Sequence, residues 1–179
     1  TLRGQAWGSP DAPPLLALHG WLDNAASFSE LAPLLATHYR VIALELAGHG
    51  HSDHLPAGAE YHYLGHVQMV RAAADALRLS RYTLLGHSLG AGIASLIAAA
   101  EPERIERLLL IEGLGPLGDD GSRTLQRFRE ALATHRESSR SLRVFRDVAQ
   151  AVNARCMASG MRADLAQPIV ERGLAEADG

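Results

Sequence analysis

Apolar and polar positions recur with two different periods along the first 112 residues. Short apolar runs, rich in aliphatic and β-branched residues and bounded by turn-forming residues, are typical of buried strands. Such runs are P-L-L-A-L-H at 14–19, Y-R-V-I-A-L-E-L at 39–46, R-Y-T-L-L-G at 81–86 and R-L-L-L-I-E at 107–112. R-G-Q-A-W at 3–7 predicts a further strand, at the edge of the same sheet.

Segments with a helical period fill the gaps between these strands. Apolar residues recur every three or four positions between 63 and 79, which predicts an amphipathic helix. Further helices are predicted over 27–36, where Ser27 and Glu30 have the spacing of a capping box, and over 89–100. Strands that alternate with helices of this length predict parallel βαβ units. The predicted fold class is therefore α/β, an open, mostly parallel sheet with flanking helices.

The pattern changes after the last predicted strand. G-L-G-P-L-G-D-D-G at 113–121 is rich in turn residues and predicts a linker. Arginine-rich amphipathic segments follow at 122–137, 139–158 and 163–177, without a run typical of a strand. We interpret residues 1–115 as the N-terminal part of an α/β core and residues 116–179 as a helical cap segment.

Composition narrows the classes of function. A chain of 179 residues, 47% of them hydrophobic, has the size and composition of one globular domain. The net charge of −3 gives no basis for binding nucleic acid or an anionic membrane. All 17 basic residues are arginine, so Schiff-base catalysis and a P-loop lysine are both excluded.

The expected location is cytoplasmic. The single Cys156 rules out an intramolecular disulfide and indicates a reducing setting. The most apolar stretch, residues 89–100, is too short to span a bilayer. Thr1 to Gly8 lacks the basic and apolar regions of a signal peptide, and we expect none. Nothing in the sequence sets the oligomeric state.

The pentapeptide G-H-S-L-G at 86–90 is the strongest candidate for chemistry, because it separates a predicted strand from a predicted helix. A sharp strand-to-helix turn strains its central residue and leaves space only for small flanking residues, which Gly86 and Gly90 provide. Such a turn raises the Ser88 hydroxyl above the sheet, at a helix N-terminus whose dipole favours negative charge. We predict that Ser88 is a nucleophile, since a serine that only caps a helix needs neither glycine.

Further motifs lie at the ends of other predicted strands. H-G-W at 19–21 follows the first central strand, and G-H-G-H-S at 48–52 follows the next one. Together with G-H-S-L-G, and in this order, these motifs resemble those of the α/β-hydrolase family. The run L-H-G-W-L-D-N-A-A-S-F at 18–28 is similar to the serine hydrolase-like branch of that family. The resemblance covers residues 1–115 well and the remainder loosely.

The resemblance implies a role for each matching residue. Ser88 is the implied nucleophile, and the backbone N–H groups of Leu89 and Trp21 form the implied oxyanion hole. The remaining motif residues are His19, Gly20, Gly86, His87 and Gly90. The implied reaction is hydrolysis of a small, ester-like acyl substrate through an acyl-enzyme, without a cofactor. C–C bond hydrolases and cofactor-free perhydrolases use the same strand-to-helix turn around the serine, the nucleophile elbow, and stay open as alternatives. Epoxide hydrolases and haloalkane dehalogenases carry aspartate in the place of Ser88.

The catalytic base and acid are not evident in the sequence. The family orders its triad as serine, acid and histidine along the chain, and His135 is the single histidine after Ser88. His135 lies in a polar segment, A-T-H-R-E-S, with no strand before it, so we interpret it as a solvated helix residue. Glu112 closes the last predicted strand and is the candidate acid, as in the haloalkane dehalogenase branch. No catalytic histidine is assigned.

A metal site is an alternative interpretation of the remaining histidines. The potential zinc ligands after the second central strand are His49, His51, Asp53 and His54. These residues overlap the family motif at 48–52, and we predict no metal site. His62 and His66 lie four positions apart at a helix start, and we interpret them as surface or cap residues.

We expect this chain to be a fragment of a longer protein. It ends in E-R-G-L-A-E-A-D-G at 171–179, without the closing strands that bring the histidine in this family. The competing interpretation is a non-catalytic fragment or binding module of the same fold. In a fragment, the strand at 107–112 is expected to form an exposed apolar edge.

Overall fold

The computed structural model describes residues 1–115, 118, 120–136 and 143–176. The strands are β1 (Gly4–Trp7), β2 (Pro14–Leu18), β3 (Arg40–Leu44), β4 (Tyr82–His87) and β5 (Ile105–Ile111). The helices are α1 (Leu31–Leu35), α2 (Tyr63–Ala76), α3 (Leu89–Ala100), α4 (Thr124–Arg136), α5 (Val148–Ser159) and α6 (Ala163–Gly173). Strands and helices alternate from β2 to β5, and the predicted α/β fold class is confirmed.

The strands form one sheet in the order β1-β3-β2-β4-β5. β2 is central and pairs in parallel with β3 on one side and with β4 on the other. β5 extends the sheet in parallel beside β4, whereas β1 runs antiparallel to β3. The sheet is therefore open and mostly parallel, with β1 and β5 at its edges.

Helices cover both faces of the central strands. Leu16 and Leu18 of β2 pack with α2 and α3, while Leu15 and Ala17 point to the opposite face and pack with α1. These side chains are completely buried. Because both faces are covered, β2 is a continuous apolar run rather than an alternation of apolar and polar residues.

The helix predicted over 63–79 ends early because of one backbone conformation. α2 ends at Ala76, and Arg78 adopts the left-handed conformation with φ 56°. The N–H of Leu79 then donates to the Ala74 carbonyl at 2.9 Å, the bond that characterises a Schellman motif. The chain leaves the helix at this point and turns toward β4.

The helix predicted over 27–36 is divided into two parts. A 3₁₀ turn at Ala25–Phe28 precedes α1, and the side chain of Asn24 caps this turn by accepting a hydrogen bond from Ala26 N–H at 3.0 Å. Ser27 lies inside the turn, and its buried hydroxyl has no partner among the described residues. The predicted capping box at Ser27 is therefore wrong.

The C-terminal segment is helical in most of its described part. The helix predicted over 139–158 begins at Val148, because Asp147 caps α5 by accepting a hydrogen bond from Gln150 N–H at 2.7 Å. Residues 139–142 lie outside the described part of the chain. α5 and α6 pack against each other, and α6 contacts the 3₁₀ turn. Within the described ranges, no strand follows β5, and no helix has the length and apolar character needed to cross a membrane.

Candidate active site

Ser88 lies at the sharp turn between β4 and α3. β4 ends at His87 and α3 begins at Leu89, so one residue joins the strand to the helix. The backbone of Ser88 has φ 50° and ψ −111°, a strained conformation for a residue with a side chain, which costs on the order of 1–3 kcal/mol. The residue is exposed, and its N–H donates to the Ile111 carbonyl at 2.9 Å. The turn therefore holds the serine in solvent, at the C-terminal edge of the parallel strands.

Glycines on both sides of Ser88 give this turn its space. A methyl group on Gly86 would lie 2.6 Å from the Cα of Ala91. A methyl group on Gly90 would lie 2.6 Å from the carbonyl carbon of Leu18. Both positions are far inside van der Waals contact, and the atoms in the way are backbone atoms that no rotamer change can move. Side chains at these positions would separate α3 from the sheet.

The segment after β2 passes directly beside the serine. The N–H of Asp23 donates to the Gly20 carbonyl at 3.2 Å and closes a turn. We call this segment, residues 20–23, the 20–23 turn. A methyl group on Gly20 would lie 3.4 Å from the Cβ of Ser88, so the turn is in close contact with the elbow. Leu22 has φ 60°, and the side chain of Trp21 is 57% exposed. The turn thus begins at a residue that lies beside Ser88, at the start of α3.

His19 is completely buried at the end of β2. Its Nδ1–H donates to the Gly20 carbonyl at 2.8 Å, and its Nε2 accepts a hydrogen bond from Leu46 N–H at 3.0 Å. Burial is the main cause that lowers the pKa of His19 from 6.5 to about 4, and the neighbouring His49 adds to it. His19 is therefore neutral at pH 7, and its hydrogen bond to the Gly20 carbonyl stabilises the start of the 20–23 turn.

Glu112, the candidate acid, lies next to His87. β5 ends at Ile111, so Glu112 falls just outside the strand, in a left-handed conformation with φ 54°. Its carboxylate lies 3.1 Å from Nε2 of His87, and 78% of its side chain is exposed. The structure thus brings together Ser88, His87, Glu112 and the 20–23 turn at one edge of the sheet.

A base for Ser88 is not apparent in the described part of the chain. None of the described histidine side chains forms a hydrogen bond with the Ser88 hydroxyl. His135 lies in α4, as the sequence predicts, and only its backbone is described. The arrangement seen here is therefore a strained, exposed serine to which no described histidine side chain is bonded.

The histidines of the potential metal cluster face different neighbours. His49 is buried and its Nδ1–H donates to the Ala47 carbonyl, while His54 contacts the Tyr61 hydroxyl. His66 is also buried and stacks on Tyr61 with 6.0 Å between ring centroids, so its assignment as a surface residue is wrong. Burial, and then His49, lowers the pKa of His66. Among the described residues, no group of three or more histidine, cysteine or acidic side chains has the arrangement of a metal site.

Glu45 is a site residue that the sequence pattern does not reveal. It follows β3 directly and is completely buried. Arg172 of α6 binds it as a fork, with Nε 2.6 Å from Oε1 and Nη2 3.1 Å from Oε2. The backbone N–H groups of Ala25 and His51 donate to the same carboxylate, at 3.3 and 3.0 Å. The signal that could have indicated this residue is the occurrence of a glutamate inside the apolar run L-E-L at 44–46.

The residues before Ala25 are also tied to the C-terminal helices. The carboxylate of Asp23, which is 7% exposed, forms an ion pair with Arg155 of α5. The side-chain amide of Asn24 donates to the Ile169 carbonyl of α6 at 2.8 Å. α5 and α6 therefore bind the segment that follows the 20–23 turn, through an ion pair and a hydrogen bond.

A large cavity lies away from the serine. Its volume is about 840 Å³, and it is lined mainly by residues 1–6, β3 and α2. No residue of the elbow or of the 20–23 turn contributes to its lining. The candidate active site is therefore the exposed edge around Ser88 and not this cavity.

Most of the chain is similar in sequence to known proteins. A family profile described as alpha/beta hydrolase fold matches residues 13–151. The serine hydrolase-like protein of Danio rerio is 40% identical over 114 residues, which are 64% of this chain and 35% of the relative. The serine hydrolase-like protein of Homo sapiens is 39% identical over 111 residues, which are 62% of this chain and 55% of the relative. The matched residues thus span about a third to a half of these relatives.

Solved structures extend the similarity to the helical segment. A hypothetical protein from Pseudomonas aeruginosa PAO1 is 42% identical, with a TM-score of 0.93 over 99% of this chain and 64% of its own. The thioesterase domain from the curacin biosynthetic pathway is 28% identical, with a TM-score of 0.77 over 96% of this chain and 67% of its own. The helices after β5 therefore follow the same path in a related protein.

Proposed function

This chain belongs to the α/β-hydrolase fold family, and from that premise we propose that it is a serine hydrolase whose nucleophile is Ser88. The substrate is a small acyl compound of the ester class, and the reaction passes through an acyl-enzyme. The observation that carries the proposal is the strained, exposed conformation of Ser88 between β4 and α3. Strain of this kind persists where the surrounding structure enforces it, and it clusters at functional sites.

The first chemical step is attack by the Ser88 oxygen on the acyl carbonyl carbon. The new O–C bond forms as the carbonyl π electrons move to the carbonyl oxygen, and the hydroxyl proton passes to a base. Expulsion of the alcohol or thiol, which takes up that proton, leaves the acyl-enzyme. Water then attacks the acyl group by the same steps and restores the serine.

The oxyanion formed in this step needs hydrogen-bond donors in place. We assign this role to the N–H of Leu89, at the start of α3, and to the N–H of Trp21, in the 20–23 turn. The close contact of Gly20 with Ser88 supports the pairing of these donors. Removal of one donor from such a site typically reduces kcat by ~10²–10³.

The proposal requires a histidine base, and the described side chains do not supply one. His135 is the histidine that follows Ser88 in the chain and is the residue to test within these 179 residues. Glu112 is the proposed acid, although its carboxylate contacts His87 here. The names of the relatives, serine hydrolase-like protein and thioesterase domain, support acyl transfer as the reaction class. A cytoplasmic location is part of the proposal, and the single Cys156 supports it.

A serine-directed fluorophosphonate tests the nucleophile. We expect the reagent to label the full-length protein on Ser88, and Ser88→Ala to abolish labelling and esterase activity while the thermal unfolding curve stays cooperative. Ser80→Ala is the matched control, because Ser80 is also exposed and precedes β4. Labelling on another serine, or full esterase activity in Ser88→Ala, would contradict the assignment.

A non-catalytic binding module is the second candidate. The observation that favours it is the lack of a histidine bonded to the Ser88 hydroxyl among the described side chains. A module of this kind would bind an acyl ligand at the same edge without turning it over. Absence of fluorophosphonate labelling in a folded protein would favour this candidate over the hydrolase.

A further inference from the structure

The segment that leaves the 20–23 turn is bound to the C-terminal helices at consecutive residues. Asp23 pairs with Arg155, Asn24 donates to the backbone of α6, and Ala25 N–H donates to the carboxylate that Arg172 binds. We propose that Arg172 and Arg155 are positioning residues for the oxyanion hole, holding the 20–23 turn against Ser88 through Glu45 and Asp23. This inference rests on the proposed function.

The 20–23 turn needs support from outside itself. Leu22 has φ 60°, a conformation that glycine adopts readily and leucine does not. Its side chain is 67% exposed, so packing of the leucine does not stabilise the turn. The turn is closed by the Asp23 N–H, at 3.2 Å from the Gly20 carbonyl. Contacts on the flanks of the turn must therefore hold its geometry.

His19 holds the first flank of the turn and the cap helices hold the second. The Nδ1–H of His19 donates to the Gly20 carbonyl, where the turn begins. At the other end, Asp23 is nearly buried and its charge is balanced by Arg155. Without that arginine, the carboxylate would be drawn toward water and would move the end of the turn with it.

Glu45 transmits the position of α6 to the same segment. Burial of a carboxylate costs free energy unless the group is paired and hydrogen-bonded, and the Arg172 fork fulfils this condition. The carboxylate then accepts the N–H of Ala25, two residues beyond the turn, and the N–H of His51. Because α5 and α6 pack against each other, the two arginines act on the turn as one unit.

The test is the kinetics of Arg172→Gln, made in the full-length protein, on p-nitrophenyl acetate, a substrate too small to need the cap for binding. We expect kcat to fall by roughly 10- to 100-fold with KM within about 2-fold of the wild type, because a displacement of about 1 Å can cost 10² in rate. Arg155→Gln is expected to show the same fall in kcat with a nearly unchanged KM. Arg162→Gln is the matched control, because it removes a cap arginine whose partner, Asp164, lies on the surface of the same helix.

Further variants separate positioning from stability. The double variant Glu45→Gln/Arg172→Gln removes both buried charges, and its kcat loss is expected to match that of the worse single variant, since both act through one pair. Arg172→Lys keeps the charge without the fork and is expected to recover part of the rate. Wild-type kcat in Arg172→Gln and Arg155→Gln, measured well below their melting temperatures, would overturn the inference.

The same experiment distinguishes this inference from the proposed function. If Ser88→Ala retains esterase activity, the nucleophile assignment fails and the positioning role fails with it. If Ser88→Ala is inactive and the arginine variants change only KM for long acyl esters, the nucleophile stands. The cap then shapes the acyl pocket alone, and the positioning inference is rejected.

Discussion

The imidazole of His19 connects the ends of two neighbouring strands. One ring nitrogen donates to Gly20 at the end of β2, and the other accepts the N–H of Leu46 beyond β3. The bond from Leu46 requires the neutral ring, because a protonated Nε2 cannot accept a hydrogen bond. The same residue is part of the family's H-G-x motif, and both of its ring nitrogens are bonded to backbone groups rather than to Ser88.

Protonation of His19 is expected to make stability depend on pH. The folded pKa of about 4 lies below the unfolded value of 6.5, so the unfolded chain binds the proton more tightly. The contribution of neutral His19 to the free energy of unfolding is fully present above pH 6.5. It falls as the pH drops toward 4, by up to about 1.4 kcal/mol per pH unit. Urea unfolding at a series of pH values measures this slope.

Substitution identifies His19 as the source of that slope. His19→Gln is expected to be less stable at pH 7 but to lose stability less steeply below pH 6.5. His66, whose pKa burial also lowers, accounts for part of the remaining slope. His51→Gln, at an exposed ring, is the control and should keep the wild-type slope. An unchanged slope in His19→Gln would show that other groups bind the protons.

At the scale of elements, the central strands could be predicted because β2, β3 and β4 are buried on both faces. Their apolar runs are unmistakable in the sequence, and the elbow could be located because strand, glycines, serine and helix are contiguous. Helix ends such as Arg78 could not be predicted, since a left-handed conformation at a non-glycine residue leaves no pattern. The Glu45–Arg172 pair could not be predicted either, because 127 residues separate its members.

Arg78 gives a prediction about the end of α2. It occupies the left-handed position of the Schellman motif, where glycine avoids a steric cost of about 1–2 kcal/mol. Arg78→Gly is therefore expected to raise the free energy of unfolding by about 1 kcal/mol. This figure allows for the larger conformational entropy that glycine gives the unfolded chain. Arg78→Ala keeps the steric cost and is the control. If the glycine variant melts below the alanine variant in thermal unfolding, the Arg78 side chain contributes a stabilising contact.

At the scale of the whole molecule, one edge of the sheet is apolar and uncovered in the described chain. β5 pairs with β4 alone, and its side chains at Leu108, Leu109 and Ile111 are 38–42% exposed. Unpaired backbone groups beside apolar side chains favour pairing with another chain. Leu34 is also exposed, but it lies on α1 and not on a strand.

These 179 residues, produced alone, are expected to self-associate through β5. Sedimentation velocity at increasing concentration should show oligomers, and p-nitrophenyl acetate should be hydrolysed barely above background. Leu109→Lys places a charge on the edge and should shift the distribution toward monomer, whereas Leu34→Lys should leave it unchanged. A monomeric wild type with strong esterase activity near neutral pH would contradict this prediction and direct attention to His135.

The buried carboxylate of Glu45 also restricts how this fold can exchange its parts. Helices grafted from another member of the family in place of α5 and α6 would bring their own side chains to the end of β3. Only a graft with a guanidinium in the place of Arg172 would pair with Glu45. Asp23 makes the same demand of the helix that carries Arg155. Recombination must therefore move Asp23 and Glu45 together with α5 and α6, so the unit that can be exchanged includes residues within the first 45 of the chain.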